Sequence, residues 1–122
     1  METIKITQWP QVSEEVTQKV VKYLAEKKVI AYPTDTVYGL GCLATEEKPI
    51  IKIYKMKNRP IEMPLLILVD SLKMARQYAH ISKKQEEYLS KVWPGPVSAV
   101  LESRGNLPGV LSYNKQTIAV RL

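Results

Sequence analysis

The chain has 122 residues, 45% of them hydrophobic, which is enough for one core and one domain. Eighteen Lys and Arg against twelve Asp and Glu give a net charge of +6, compatible with a polyanionic or nucleotide partner and equally with a plain basic protein. No run of about 18 apolar residues exists, which excludes a membrane-spanning helix, and the lone Cys42 excludes an intrachain disulfide. The opening residues carry no signal-peptide core, so a reducing, cytoplasmic location is expected.

Ile4 and Ile6 alternate around Lys5 and predict a short first strand. Ser13 is placed to cap a helix, with Glu14 and Glu15 favourable in its first turn. Val16, Val20 and Leu24 recur at i, i+4 and i+8, predicting an amphipathic helix to about Lys28. Val29 to Tyr32 reads as a buried strand ended by Pro33, and Thr34 to Gly41 as a loop leading to the next helix. Pro49 suits the first turn of that helix, and Ile50, Ile53 and Tyr54 supply its inner face.

Pro60 and Pro64 then break regular structure. Leu65 to Val69 is five apolar residues in a row, the pattern of a strand covered on both faces. Ser71 to Ala79 reads as a helix. Ser82-Lys83-Lys84-Gln85 is a capping box opening another, to about Val92. Trp93-Pro94-Gly95-Pro96 is a rigid turn whose Trp93 plugs the core. Val97 to Leu101 reads as a strand, Arg104 to Gln116 as a loop, and Thr117 to Leu122 as a last strand. Strands alternating with helices give an α/β domain, without saying which strands are parallel.

Chemistry-bearing residues cluster in three places. Thr34, Asp35, Thr36 and Gly39 sit at a strand end, where short hydroxyls and a carboxylate can bind an amino acid's polar groups or simply satisfy a turn. Lys57 and Arg59, if extended, share a side and could converge on one triphosphate, with a solvated basic loop as the alternative. Arg121 lies inside an apolar strand and needs a partner, either an anionic ligand or an Asp or Glu of the fold. No Walker A or Gly-x-Gly-x-x-Gly sequence is present. His80 reads as a helix-end or surface residue and Cys42 as a small core residue; no zinc site is suggested.

Together these segments are far more specific than singly. Pro33-Thr34-Asp35-Thr36-Val37-Tyr38-Gly39-Leu40-Gly41 comes first, then Ile53-Tyr54 and Lys57-Asn58-Arg59-Pro60 with Pro64-Leu65. Trp93-Pro94-Gly95-Pro96 and Ala119-Val120-Arg121 follow in order. With this set the chain strongly resembles the YrdC-like family of threonylcarbamoyl-AMP synthases, from about Ile4 to Leu122.

The resemblance implies an α/β fold, a twisted mixed sheet with flanking helices around a deep, positively charged cavity. It also implies a nucleotidyltransferase reaction in which L-threonine, bicarbonate and ATP give threonylcarbamoyl-AMP and pyrophosphate. A second enzyme, a tRNA threonylcarbamoyltransferase, then uses the product to modify an adenosine of tRNA. By matching positions, Thr34 and Arg121 would hold threonine, while Lys57, Arg59 and Thr117 would hold ATP. Mg2+ would accompany the triphosphate, bridging its oxygens more than binding protein ligands. No catalytic nucleophile is implied, because aligning two anions and neutralising transition-state charge suffices.

Two departures from the family pattern stand out. The family continues past the Ala-Val-Arg strand with a Ser-x-Asn element, whereas this chain ends at Leu122. A C-terminally incomplete domain over residues 1–122 is therefore expected, with an open edge that could pair with a second copy as a homodimer. Leu68 stands where many members carry His, and Ser98 replaces the commoner Thr. The alternative function is a non-catalytic module that binds double-stranded RNA, tRNA or a nucleotide. Carbamoyl transfer, as in larger enzymes containing similar modules, is a third reading that the short chain argues against.

Overall fold

A computed structural model describes residues 1–7 and 11–122. Helix α1 (Glu14–Ala25) starts as its sequence predicts: the Ser13 hydroxyl accepts the Val16 N–H at 3.4 Å, with Glu14 and Glu15 in the first turn. It ends before Lys28 because Lys27 turns left-handed, with φ of 60°. The Lys27 and Lys28 amides then cap the Leu24 and Tyr23 carbonyls in a Schellman arrangement. No glycine announces that stop. The strand expected at Ile4–Ile6 is absent, since residues 1–7 pair with no strand among the described residues. Side chains tie this segment to α1 instead: the Glu2 carboxylate accepts from Lys19 and Tyr23, four residues apart on one helix face.

Strands β1 (Ile30–Tyr32) and β2 (Gly39–Gly41) form an antiparallel hairpin, with Tyr32 opposite Gly39 and Ile30 opposite Gly41. The segment read as a continuous loop thus contains a strand. Glycine is depleted in strands, which hid it. Gly41 is required by close approach, because a Cβ there would lie 2.6 Å from Cε1 of Tyr32. Helix α2 (Glu47–Met56) follows, burying Pro49, Ile50, Ile53 and Tyr54.

The main sheet contains β3 (Leu66–Leu68), β4 (Ala79–His80), β5 (Ser98–Ser103) and β6 (Thr117–Arg121) in the order β3-β6-β5-β4. Only β3 and β6 run parallel, so the sheet is mixed. Helices α3 (Leu72–Tyr78), α4 (Lys83–Val92) and the single turn α5 (Gly109–Ser112) connect its strands. The capping box of α4 is complete: Gln85 N–H donates to the Ser82 hydroxyl at 3.2 Å and Ser82 N–H to the Gln85 side chain at 2.8 Å. Helix α5 lies where a loop was expected, too short for its periodicity to register.

Alternation along the strands gives the sheet one covered face. Ile67, Val120, Ile118, Leu101 and Ala79 meet Ile50 and Tyr54 of α2, Ala75 of α3, Leu89 of α4 and Leu111 of α5. Trp93 is buried among them and its indole N–H donates to the Val97 carbonyl at 2.7 Å. The other face is open: Leu66 and Leu68 are 45% and 46% exposed and Val100 70%. The run Leu65–Val69 therefore corrects to an edge strand covered on one face, with Leu65 and Val69 lying outside its paired residues.

Candidate functional site

The open sheet face presents a cation. In register, Leu68 of β3 and Ser98 of β5 flank Arg121 of β6, and directly paired residues share a face. The Arg121 guanidinium forms an ion pair with the Asp35 carboxylate. Asp35 lies 86 residues earlier, in the turn between β1 and β2, so this contact ties the small hairpin to the main sheet. The Arg121 side chain is 16% exposed and that of Asp35 47%. Tyr32 is close by: burial pushes its phenol up while the positive charge of Arg121 pulls the other way.

Thr34 shapes the turn that carries Asp35. Its hydroxyl donates to the Val37 carbonyl at 2.6 Å and accepts the Thr36 and Val37 amides, both at 3.2 Å. This is the turn-forming use of threonine, with the hydroxyl fully engaged inside residues 34–37. Val37 and Tyr38 at the tip are 73% and 79% exposed.

Lys57 and Arg59 are arranged differently from the extended pair expected. Lys57 caps the C-terminus of α2, and Asn58 after it adopts a left-handed conformation with φ of 46°. The Asn58 and Arg59 amides donate to the Lys55 and Tyr54 carbonyls at 3.2 and 2.9 Å, a second Schellman motif. The chain reverses between the two cations, so the same-side rule for extended residues does not apply to them. Arg59 is half-buried and reaches forward: its Nε donates to the Met63 carbonyl and its Nη2 to the Pro64 carbonyl, both at 2.9 Å. The Tyr54 hydroxyl lies 3.2 Å from the carbonyls of both Met63 and Val110, joining α2, the Pro60–Pro64 segment and α5. Burial raises the Tyr54 phenol, with Arg59 opposing. Lys57 is exposed and has no ion-pair partner among the described residues.

Thr117 begins β6 opposite Glu102, on the same face as Arg121 and roughly 13 Å along the strand from it. His80 pairs in register with Glu102 on the edge strand and is exposed. Cys42 is half-buried, and burial raises its thiol, which disfavours the thiolate a nucleophile needs. A cleft of about 310 Å³ is lined by Ile51, Tyr54, Lys55, Asn58, Arg59 and Ile61; one of about 320 Å³ lies beside α5; Arg121 lines neither.

The structure thus brings Thr34 and Arg121 together through Asp35. Among the described residues, no hydrogen bond or ion pair links Lys57 or Arg59 to that group. The sequence leaves Arg121's partner open and shows the carbonyl clamp of Tyr54 and Arg59 only indirectly. Asn58 was the available signal, since asparagine after a helix often takes the left-handed cap.

Comparison with known proteins identifies the family. A threonylcarbamoyl-AMP synthase of Pyrococcus abyssi is 37% identical over 101 residues, covering 82% of this chain and 30% of the relative. The synthase of Klebsiella pneumoniae is 32% identical over 111 residues, covering 88% of this chain and 58% of the relative. The chain therefore spans little more than half the length of such relatives at most. The crystal structure of P. abyssi Sua5 complexed with L-threonine superposes with a TM-score of 0.87 at 33% identity, over 92% of this chain and 33% of that one. E. coli YciO shares the fold, with a TM-score of 0.82 at 20% identity over 91% of this chain and 54% of that one. The Sua5, YciO and YrdC family model, described as "telomere recombination", matches residues 22–122, and the chain belongs to that family.

Proposed function

We propose that this chain carries the amino-acid and part of the nucleotide site of an L-threonylcarbamoyladenylate synthase, which makes threonylcarbamoyl-AMP and pyrophosphate from L-threonine, bicarbonate and ATP. One observation carries this reading furthest: the turn holding Thr34 and Asp35 lies against Arg121 on an uncovered sheet face, in a chain whose relatives are named threonylcarbamoyl-AMP synthases. Arg121 is the anchor for the threonine carboxylate, a bidentate fork in a sheltered position. Thr34 contributes by fixing the turn.

Lys57, exposed at the end of α2, is the free cation for the ATP phosphates. Arg59 keeps one guanidinium nitrogen, Nη1, outside its two carbonyl bonds and adds positive charge at the same helix end. Thr117, farther along β6, would meet the nucleotide rather than the amino acid. Magnesium enters as part of the nucleotide, where it neutralises triphosphate charge. Phosphate oxygens and water would be its ligands more than protein side chains. The product would feed a tRNA threonylcarbamoyltransferase.

The test is threonine-dependent release of pyrophosphate from ATP with bicarbonate and Mg2+, alongside calorimetric titration of ATP and of threonine. Binding of both without turnover would place the remaining chemistry in segments that longer relatives carry. Binding of neither would overturn the reading.

A second reading, contact with the phosphate backbone of tRNA or double-stranded RNA, is favoured by α2. Lys48, Lys52 and Lys55 are all exposed, follow at i, i+4 and i+7, and have no ion-pair partner among the described residues. They occupy the face opposite Ile50, Ile53 and Tyr54. Filter binding to tRNA at low salt, where phosphate contacts are strongest, tests it; no retention there would reject it.

A further inference from the structure

We propose that Asp35 and Arg121 together read the α-amino-acid zwitterion. L-threonine inserts between them, its carboxylate taking the Arg121 guanidinium and its ammonium taking the Asp35 carboxylate. This rests on the threonine reading of the site and adds to it the residue that recognises the amine.

Three observations lead there. First, the two groups already pair with each other, so the site holds one charge of each sign at hydrogen-bonding separation. Inserting a zwitterion conserves the charge balance and leaves neither group unpartnered. A ligand with only a carboxylate would leave Asp35 paired with water alone, and one with only an amine would strand the sheltered Arg121 without a partner. Second, the members differ in how firmly they are held. Arg121 ends β6, an inner strand paired on both sides, with 16% of its side chain exposed, whereas Asp35 sits 47% exposed on a turn. Asp35 is therefore the half that can give way and re-pair. Third, the Thr34 hydroxyl bonds within its own turn leave it to position Asp35 rather than to grip a ligand.

The neighbours of Arg121 suit the rest of the molecule. Ser98 and Leu68 flank it on the open face, both exposed. A hydroxyl on one side and an apolar side chain on the other match the hydroxyl and methyl of threonine. Glycine would satisfy the ion pair and miss both of these, and a larger apolar amino acid would miss the hydroxyl contact.

The experiment is calorimetric titration of this chain with L-threonine, N-acetyl-L-threonine, which lacks the ammonium, and L-threonine methyl ester, which lacks the carboxylate. It is repeated on Asp35→Asn and Arg121→Gln, with melting curves as a check of folding. The unsubstituted chain should bind L-threonine about tenfold or more tighter than either derivative, the scale of one charged hydrogen bond. Asp35→Asn should weaken L-threonine by a similar factor and bind the N-acetyl form nearly as well as L-threonine. Arg121→Gln should remove the preference over the ester. If Arg121→Gln matters but Asp35→Asn binds L-threonine as tightly or more tightly, Asp35 is only a counterion that the substrate displaces, and the proposal fails while the site reading stands. No binding of L-threonine to the unsubstituted chain, or no effect of Arg121→Gln, overturns both.

Discussion

Arg59 and Arg121 carry the same group and are used in opposite ways. Arg59 is engaged by two backbone carbonyls four and five residues ahead, a local clamp built where helix α2 ends. Arg121 is engaged by a side-chain carboxylate from a distant turn, across two sheets. A backbone carbonyl cannot leave without unfolding its segment, whereas a half-exposed carboxylate can swing away. The first contact therefore belongs to the architecture, and the second is the one that the proposed ligand would replace. The difference lies in what each guanidinium touches.

The largest expected effect comes from cutting the clamp. Arg59→Ala should destabilise the fold by about 1.5–3 kcal/mol, the range for hydrogen bonds to charged groups, measured by urea unfolding. Arg59→Lys should recover only part of this, because an ammonium cannot span two carbonyls as a planar fork does. A loss within about 0.5 kcal/mol, as for an ordinary surface substitution, would make Arg59 as free as Lys57 and erase the contrast.

Next in size is the hydroxyl that shares the Met63 carbonyl. Tyr54→Phe should cost about 1 kcal/mol, since the Val110 carbonyl loses its donor while Met63 keeps Arg59. The same substitution has a pH signature. Burial raises the pKa of Tyr54, Tyr32 and Cys42 in the folded chain. The folded state then binds more protons than the unfolded one, so stability present at neutral pH declines as pH rises. The decline should start near the ordinary values, about 8.5 for a thiol and 10 for a phenol, and continue through the raised ones. Tyr54→Phe should flatten the fall above about pH 10. Equal slopes in both proteins would remove Tyr54 from the account.

The smallest effects on stability are expected where ligand effects are largest. Asp35→Asn should change unfolding free energy by no more than about 1 kcal/mol, as for exposed ion pairs, and Lys57→Ala by still less. Lys57→Ala should instead weaken ATP binding by about 1.5–3 kcal/mol if it meets the phosphates. Should Asp35→Asn unfold the chain at room temperature, the Arg121 pair would be a structural tie like that of Arg59, and no exchange could occur there.

Much of the framework was legible in the residues, because the governing signals are local. Ser13 and Ser82 cap their helices as capping chemistry requires. Pro49 with Ile50, Ile53 and Tyr54 defines the buried side of α2, and Trp93 fills the core beside its turn. The ordered motifs also sufficed to indicate the family. Where the reading failed, the deciding interaction lay outside the segment. Gly39–Gly41 is a strand only because Tyr32 and its neighbours pair with it. Ile4–Ile6 is not one, since it pairs with no strand among the described residues and Glu2 just before it ties the segment to α1 instead. Leu66 and Leu68 form an open face because nothing described packs over β3. Composition could say that Arg121 needs a partner. Only the tertiary structure, which folds residue 35 onto residue 121, decided that the partner is Asp35, because an ion pair across 86 residues leaves no periodicity in the sequence.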